Sequence, residues 1–363
     1  MNIKKPFLVP VMISGLSLVL TGQVLGQTFT RLYSFTGGND GDHPFGGLIL
    51  SRNTLYGTAR DAGSFGSGTL FAVNTDGTGF TNLHSFSGGS EGATPVSALV
   101  LSGDTLYGTT VGGGSSNAGT VFAVGTNGTD FATLHSFKGT DGANPYYTLI
   151  LSGDTLYGTA SYGGNANNGT VFRLNTNGTE FSVVHYFGGS DGGDPVGFTL
   201  SGTLLYGVTD IVGNSGNGTV FAVSTNGTGF TNLHSFTTTR CYTCFNSDGA
   251  YPSAGLILSG NTLYGTADKG GTSGNGTVFA VNTDGTSFTI LHSFSGGSDG
   301  AYPHTRLLLS GNALYGTTAD GGHAGNGTVF NLSFNPQLTI TPSEANVILM
   351  WPTNVAGFDG NVS

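Results

Sequence analysis

One aromatic position recurs six times in copies of a short motif close to LHSF. Its members are His84, His135, His185, His234 and His292, with Tyr33 in the first copy. Five histidines could bind a metal ion together if they converged. However, the motif lies on what we expect to be the outer strand of each repeat, where alternate residues share one face, so the rings are too far apart to share an ion. The pattern predicts structural histidines, each hydrogen-bonded within its own repeat.

An acidic residue followed by glycine recurs shortly after each motif. The six acids are Asp40, Glu91, Asp141, Asp191, Asp248 and Asp299. Six acids on one face could hold cations or bind sugar hydroxyls. The alternative is a turn, because Asp before Gly caps backbone groups and tolerates turn angles. The acids do not alternate as in an EF-hand loop, so calcium has weak support, and we expect no other metal and no cofactor.

Tyrosines stand beside the proline in three of the same loops: Tyr146, Tyr251 and Tyr302. Exposed aromatic rings on a surface rich in Gly and Asn would suit stacking against sugar rings. The alternative is packing against the neighbouring proline, and the sequence favours neither. Together with the six acids, these tyrosines make up the predicted ligand-binding site.

Cys241 and Cys244 form a C-x-x-C pair in a nine-residue insertion between residues 236 and 248. A zinc ion would need four ligands, and a redox-active pair usually has a helix start that lowers a thiol pKa. An exported protein favours a disulfide. We therefore predict a disulfide between Cys241 and Cys244.

Hydrolase motifs do not stand apart from the repeats. No G-x-S-x-G nucleophile motif and no H-E-x-x-H zinc motif is present as a lone feature that breaks the repeat. No pair of carboxylates breaks the repeat in the way that a glycosidase site would. We therefore predict no catalytic residue, and the regular repeats favour binding or display over catalysis.

A repeat of about fifty residues must position all these side chains. The LYG signature centres on Tyr56, Tyr107, Tyr157, Tyr206, Tyr264 and Tyr315, and the spacings are 51, 50, 49, 58 and 51 residues. Each repeat contains four short β-patterned segments, here called strands A to D. Asn-Gly or Asp-Gly turns, as at residues 177–178, join strands C and D. The sequence predicts one four-stranded antiparallel sheet per repeat.

The order of the segments predicts how the repeats close. The chain has a D-type segment at residues 28–35, before the first A strand, and no D segment after the last C strand. In a ring, the first segment can complete the last sheet and leave no long free edge. We predict an all-β, six-bladed β-propeller of four-stranded antiparallel blades, closed by the N-terminal strand. The long B–C and D–A loops then share one face, which is the predicted working face.

The N-terminus predicts export. Lys4 and Lys5 precede an apolar run at residues 7–20, as in a secretory signal peptide. The predicted organisation is a signal peptide (1–26), a propeller (27–334) and a C-terminal tail or truncated β module (335–363). Without Lys4 and Lys5 the chain has 8 basic and 20 acidic residues, a net charge of −12. Nucleic-acid binding needs a basic patch and is excluded. We expect a monomer without a membrane span.

The signatures LYGT, GTVF, LHSF and SDGAxP, each repeated in one order, resemble those of the GloVer tandem-repeat proteins, which are exported bacterial proteins with a choice of C-terminal anchors. The resemblance covers about residues 28–332. It implies export, secretion or surface display and a propeller-like repeat, but no catalytic residue and no ligand. This chain lacks the C-terminal sorting helix of such proteins.

Three functions remain open at this point. The first is a binding or surface-display module for an extracellular glycan or protein. The second is an enzyme that acts on extracellular polysaccharide, and the third is a passive structural repeat of the cell surface. The periodicity of the sequence predicts the fold, whereas a function has to be argued from the residues of a particular site.

Overall fold

The computed structural model describes residues 29–238 and 246–334, together with the backbone of two strands between residues 339 and 350. The predicted signal peptide and the predicted disulfide of Cys241 and Cys244 lie outside the described residues. The chain has two compact units, Met1–Arg31 and Leu32–Ser363, and all six repeats belong to the second unit.

The second unit is built from repeated antiparallel sheets. Sheet one contains β1 (Ile49–Ser51), β2 (Thr54–Ala59), β3 (Thr69–Asn74) and β4 (Thr81–Ser85). Sheet two contains β5 (Val100–Ser102), β6 (Thr105–Thr110), β7 (Thr120–Gly125) and β8 (Ala132–Ser136). Sheet three contains β9 (Ile150–Ser152), β10 (Thr155–Ala160), β11 (Thr170–Asn175) and β12 (Ser182–Tyr186).

The remaining repeats follow the same order. Sheet four contains β13 (Gly193–Ser201), β14 (Leu204–Ile211), β15 (Thr219–Ser224) and β16 (Thr231–Ser235). Sheet five contains β17 (Ile257–Ser259), β18 (Thr262–Ala267), β19 (Thr277–Asn282) and β20 (Thr289–Ser293). Sheet six has three strands, β21 (Leu308–Ser310), β22 (Ala313–Thr318) and β23 (Thr328–Ser333). The described residues contain one short 3-10 turn, Gly189–Asp191, and no α-helix.

Local sequence explains the strand pairing. In sheet three, β10 pairs with β11 from Thr155 opposite Asn175 to Ala160 opposite Thr170. The next turn places Gly178 at φ +81°, which glycine adopts without steric cost. The Asn177 side chain supports this turn by accepting a hydrogen bond from the Thr179 N–H at 3.0 Å. The predicted four-stranded antiparallel repeat is confirmed.

The hydrophobic core lies between consecutive sheets. Between sheets two and three, for example, Leu156 and Phe172 pack in one cluster with Val121 and Phe137. Similar clusters join sheets one and two, three and four, four and five, and five and six. Within the described residues, no such cluster joins sheet six to sheet one. Each sheet therefore depends on its neighbour in sequence for a core.

Sheet six has an open edge at β23. Val329 is 83% exposed, whereas its equivalents in the other sheets, Leu70, Val121, Val171, Val220 and Val278, are fully buried. The segment predicted to cover this edge forms no strand at residues 29–36, because its backbone is not hydrogen-bonded to a neighbouring strand. The prediction of a strand at residues 28–35 is therefore wrong for its described part. Among the described residues no strand pairs with β23 on this side, so closure of the array into a ring stays a prediction.

The same N-terminal segment packs against sheet one. The Tyr33 ring stacks on Phe80 with 3.6 Å between centroids and 4° between planes, and Phe35 packs against Phe71. The equivalent histidines of the next four repeats stack in the same way on the repeat that follows, as His135 does on Phe181 at 3.5 Å. Residues 33–35 thus occupy the place of a preceding D strand.

The residue before each D–A loop proline has a left-handed backbone. The φ angles range from 51° to 61° at His43, Thr94, Asn144, Asp194, Tyr251 and Tyr302. Such angles cost of the order of 1–3 kcal/mol in a non-glycine residue and persist only where the surroundings impose them. In all of them except His43, the N–H of that residue donates to the preceding repeat, as in the bond from Asn144 to the Ala118 carbonyl at 2.8 Å.

The C-terminal segment forms a hairpin of β24 (Thr339–Ser343) and β25 (Asn346–Met350), which pair in antiparallel register. In the part of the chain that the structure describes, no helix has the length and apolar character that a membrane crossing requires.

Candidate functional site

The histidines of the LHSF motif, and Tyr33 in the first copy, each contact the acid of the following D–A loop. These contacts are here called the rim pairs. The pairs are Tyr33–Asp40 at 2.9 Å, His84–Glu91 at 3.5 Å, His135–Asp141 at 3.0 Å, His185–Asp191 at 2.7 Å, His234–Asp248 at 3.0 Å and His292–Asp299 at 3.2 Å. The Glu91 contact is an ion-pair distance without hydrogen-bond geometry. The prediction of structural histidines bonded within their own repeat is confirmed for the other four.

The acids of these pairs also cap the D–A loop. The Lys138 N–H donates to Asp141 at 2.7 Å, and the Gly188 N–H donates to Asp191 at 2.7 Å. Burial would raise the pKa of Asp248, but hydrogen bonds from His234 and Thr237 lower it overall. These carboxylates therefore already have internal donors. Ligand binding by the six acids stays a prediction, and it would compete with these bonds.

Burial lowers the pKa of His84, His135 and His185, and it outweighs the attraction of each paired acid. These three rings are consequently neutral at pH 7. A neutral imidazole that donates from Nε2 keeps Nδ1 as an acceptor. The rim pairs thus work as hydrogen bonds of the fold more than as charge pairs.

The three predicted tyrosines lie in different surroundings. Tyr146 and Tyr251 are each 37% exposed, and the edge of Tyr146 meets Phe45 at 6.1 Å between ring centroids. The Tyr302 ring is covered by the Lys269 ammonium, which lies 3.4 Å from its centroid. One of the three rings therefore already has a cationic partner, while the other two present part of their surface to solvent.

A cavity of about 340 Å³ lies among the first strands of sheets three to six and is here called the inner cavity. Its polar lining includes Tyr147, Ser253, His304 and Arg306. The Arg306 Nε–H donates to the Leu256 carbonyl at 3.2 Å, which holds the guanidinium against sheet five. These side chains come from three different repeats and meet only because the sheets stack.

A group of interacting carboxylates adjoins the inner cavity and comprises Asp194, Asp210 and Asp268. In each of the three residues the Oδ1 atom is buried and has no hydrogen-bond donor. Burial, followed by the charges of Asp194 and Asp268, raises the pKa of Asp210 to about 6. Burial, followed by the charges of Asp194 and Asp210, raises the pKa of Tyr147 as well. The group is therefore poor in donors and rich in acceptors.

No group of three or more His, Cys, Asp or Glu side chains has metal-binding geometry in the described ranges. The carboxylates interact through charge without converging on one point.

Sequence reasoning missed these carboxylates, although the repeats contain a signal for two of them. Four residues after the LYG tyrosine, the six copies have Arg60, Val111, Ser161, Asp210, Asp268 and Ala319. The LYGT residues before this position are nearly invariant from copy to copy, whereas this position and the next one vary. Positions that vary within a repeat of fixed structure are not held constant by packing.

The sequence model of the Gloeobacter/Verrucomicrobia repeat matches residues 17–210, 127–245 and 201–345. These matches span most of the sequence, so the chain belongs to the Gloeobacter/Verrucomicrobia repeat family. The resemblance in the repeat signatures is thereby confirmed. No protein of curated function matches the sequence.

Three solved structures are similar to this chain at low sequence identity. An oligogalacturonate lyase from Vibrio parahaemolyticus has a TM-score of 0.51 at 11% identity, covering 79% of this chain and 76% of that one. The computationally designed Ika8 protein has a TM-score of 0.49 at 15% identity, covering 80% and 71%. A gluconolactonase from Xanthomonas campestris has a TM-score of 0.45 at 14% identity, covering 81% and 87%. At such identities the likeness concerns the fold alone.

We predict that Asp141→Ala lowers the free energy of unfolding by about 1–3 kcal/mol, because it leaves the Lys138 N–H and the His135 ring without their acceptor. Denaturant unfolding measures the change. Asp104→Ala is the matched control, since Asp104 lies in an exposed turn and should change stability by less than about 0.5 kcal/mol. Equal effects of the two variants would contradict the structural role of Asp141.

We predict that Asp210→Asn stabilises the protein at pH 7.5 but not at pH 4. The folded protein binds the Asp210 proton more tightly than the unfolded chain, since the folded pKa is about 6. Asp210 therefore costs stability as the pH rises from 4 through 6. The cost reaches at most about 3 kcal/mol above pH 6. Denaturant unfolding of both proteins at the two pH values tests this, and a pH-independent difference would refute it.

Proposed function

We propose that this protein is an exported binding module whose inner cavity recognises a polyhydroxylated ligand, a glycan above all. The observation that carries this proposal is the lining of the inner cavity by side chains that differ from repeat to repeat, in an array whose other positions are close copies. Uniform repeats need no such variation for packing. Varied polar side chains around a concave surface are typical of a ligand site.

The carboxylates beside the inner cavity favour a ligand with hydroxyl groups. Asp194 and Asp210 act by charge on the lining residue Tyr147, and Asp268 contacts the lining residue His304. Each of the three has a buried oxygen without a donor, to which a sugar hydroxyl would donate. Tyr162 is 45% exposed and provides an aromatic face near the same carboxylates, because the charges of Asp194 and Asp210 both act on it. A volume of about 340 Å³ lies at the lower end of small-ligand sites, which span roughly 300–1,000 Å³.

We further propose that the chain closes into a six-bladed ring in which the segment at residues 32–35 pairs with β23. The edge of β23 borders a cavity of about 200 Å³ lined by His292, Asp299 and Phe330. In the five complete sheets a D strand occupies this place. The unpaired copy of that strand motif is the N-terminal one, and it already packs on sheet one as a preceding D strand would.

Two further contacts support closure. In sheets one to five, the glycine that precedes strand C packs on a proline of the next repeat, as Gly119 does on Pro145. The corresponding Gly327 and Pro44 would meet in a closed ring. Likewise the His43 N–H, which now donates to its neighbour Asp42 at 2.8 Å, would donate to the Asn326 carbonyl. Pro44 and the His43 N–H at one end of the array thus lack the partners that Gly327 and the Asn326 carbonyl would supply from the other end.

Export and a monomeric state also belong to this proposal. A charged fraction of 8% and 65 glycines give a surface of Gly, Ser, Thr and Asn, which suits the outside of a cell. The proposed partner is therefore an extracellular glycan, and an extracellular protein is the next alternative.

We predict saturable binding of one sugar class on a glycan array by residues 27–363, assayed with and without calcium. The double variant Asp194→Asn with Asp210→Asn should weaken binding by at least tenfold, since hydrogen bonds to a charged group contribute about 1.5–3 kcal/mol. Asp104→Asn with Asp154→Asn, in the exposed A–B turns, is the matched control and should bind normally. Absence of binding to every glycan would refute the proposal.

We predict that Cys residues introduced at Ser34 and Thr328 form an intramolecular disulfide, in a background with Cys241→Ser and Cys244→Ser. In sheet five the equivalent residues, Thr277 and Ser293, lie directly opposite each other, where Cβ atoms are about 4.5–5.5 Å apart. Non-reducing electrophoresis and mass spectrometry detect the bond. Ser34→Cys with Ser310→Cys is the control, because Ser310 lies two strands away from the β23 edge.

An unlinked monomer would contradict closure. Disulfide-linked dimers would also contradict it, because they would show that the β23 edge pairs with a second copy of the chain.

A further inference from the structure

A serine and a histidine that line the inner cavity contact each other, and the histidine contacts a neighbouring aspartate. The Ser253 Oγ lies 3.4 Å from His304 Nδ1, and His304 Nε2 lies 3.3 Å from Asp268 Oδ1. Ser253 and His304 both line the cavity. The three residues come from sheets five and six and meet where the first strands of these sheets adjoin.

We propose that Ser253, His304 and Asp268 form a nucleophilic triad that hydrolyses carboxylic esters small enough to enter the inner cavity. This inference goes beyond ligand binding and does not depend on which glycan the cavity holds. A serine becomes a nucleophile when an adjacent base takes its proton and a third group orients that base. The recognition of such triads rests on geometry and roles, not on the order of residues in the sequence.

The surroundings of the three side chains agree with these roles. The Asp268 side chain is 13% exposed and that of His304 is 51% exposed, so the carboxylate is sheltered while the ring faces the cavity. The Asp268 Oδ1 has no hydrogen-bond donor, and its contact with His304 Nε2 at 3.3 Å lies outside hydrogen-bond geometry. Catalytic hydrogen bonds are often long in a free enzyme and shorten when substrate binds.

The reaction balances without any cofactor. The Ser253 Oγ attacks the ester carbonyl carbon and forms a new C–O bond, while its proton passes to His304 Nδ1. The tetrahedral intermediate then collapses, the bond to the alcohol oxygen breaks, and that oxygen takes the proton from Nδ1. Water repeats the sequence on the acyl-serine and releases the carboxylic acid. Asp268 stabilises the imidazolium through Nε2–H, and Arg306 offers positive charge to the tetrahedral oxyanion.

Neighbouring groups shape the electrostatics of His304. The Lys269 ammonium lies 4.0 Å from Asp268 Oδ2 and also covers the Tyr302 ring. It neutralises part of the carboxylate charge while leaving Oδ1 to the histidine. Asp320 adds negative charge near Asp268. Asp268 therefore contacts the proposed base, His304, through Oδ1, while its other oxygen, Oδ2, faces the Lys269 ammonium.

The test is covalent labelling of residues 27–363 with a fluorophosphonate probe, located by peptide mass spectrometry, together with hydrolysis of p-nitrophenyl acetate. The expected result is one adduct on Ser253, absent from Ser253→Ala, and a labelling rate at least a hundredfold lower in His304→Asn. Thr305→Ala is the matched control, because the Thr305 hydroxyl contacts Thr317 at 2.9 Å and has no part in the triad; it should label normally.

An unlabelled wild-type protein would overturn the proposal, as would an adduct on another residue or a labelling rate that His304→Asn leaves unchanged. Ester hydrolysis that persists in Ser253→Ala at the wild-type rate would show simple imidazole catalysis and would overturn it as well. Thermal unfolding of each variant confirms that it is folded. Glycan binding is read separately, so failure of the triad leaves the binding proposal standing, and the reverse also holds.

Discussion

The structure depends on one constraint, which is that a four-stranded sheet of this repeat cannot bury its own apolar face. Each sheet covers the next, and an aromatic stack sets the contact. His135 of sheet two lies parallel to Phe181 of sheet three, with 3.5 Å between ring centroids, while Phe137 meets Phe172 edge-on at 5.0 Å. The glycine of the LYG signature makes room for this core, since a Cβ on Gly158 would lie 2.3 Å from the Phe172 ring. One imidazole thus binds an acid in its own repeat and an aromatic ring in the next.

Most of the fold could be predicted from the sequence, because period, turn chemistry and alternation all act locally. The Asn177-Gly178 turn and the four strands of sheet three follow from such signals. The stacking of His135 on the next repeat could not be predicted, since strand alternation gives the face of a side chain but not its neighbour across a sheet interface. The order of segments suggested how the array closes, but pairing of the two ends is a long-range contact that no local pattern specifies.

The candidate site was harder to predict, for a reason that two nearby residues illustrate. Asp191 recurs in every repeat in some acidic form and attracted attention, yet its two oxygens bond to His185 and to the Gly188 N–H. Asp194 occurs once, three residues later, and keeps a buried oxygen without a donor. Residues that recur in every repeat are those that the fold requires in every repeat. A site made from several repeats is instead marked by residues that interrupt the repetition, and the identity of its neighbours emerges only when the sheets are stacked.

The left-handed residue before each D–A loop proline has a wider consequence. In every repeat after the first, its backbone N–H donates to the preceding repeat, as the Tyr302 N–H does to the Asn275 carbonyl at 2.9 Å. Because the main chain makes this contact, the position accepts different side chains. His, Thr, Asn, Asp and Tyr all occur at this position. Duplication of one repeat followed by single-residue divergence can therefore produce new surfaces on an unchanged frame, much as antibody loops diversify on a constant framework.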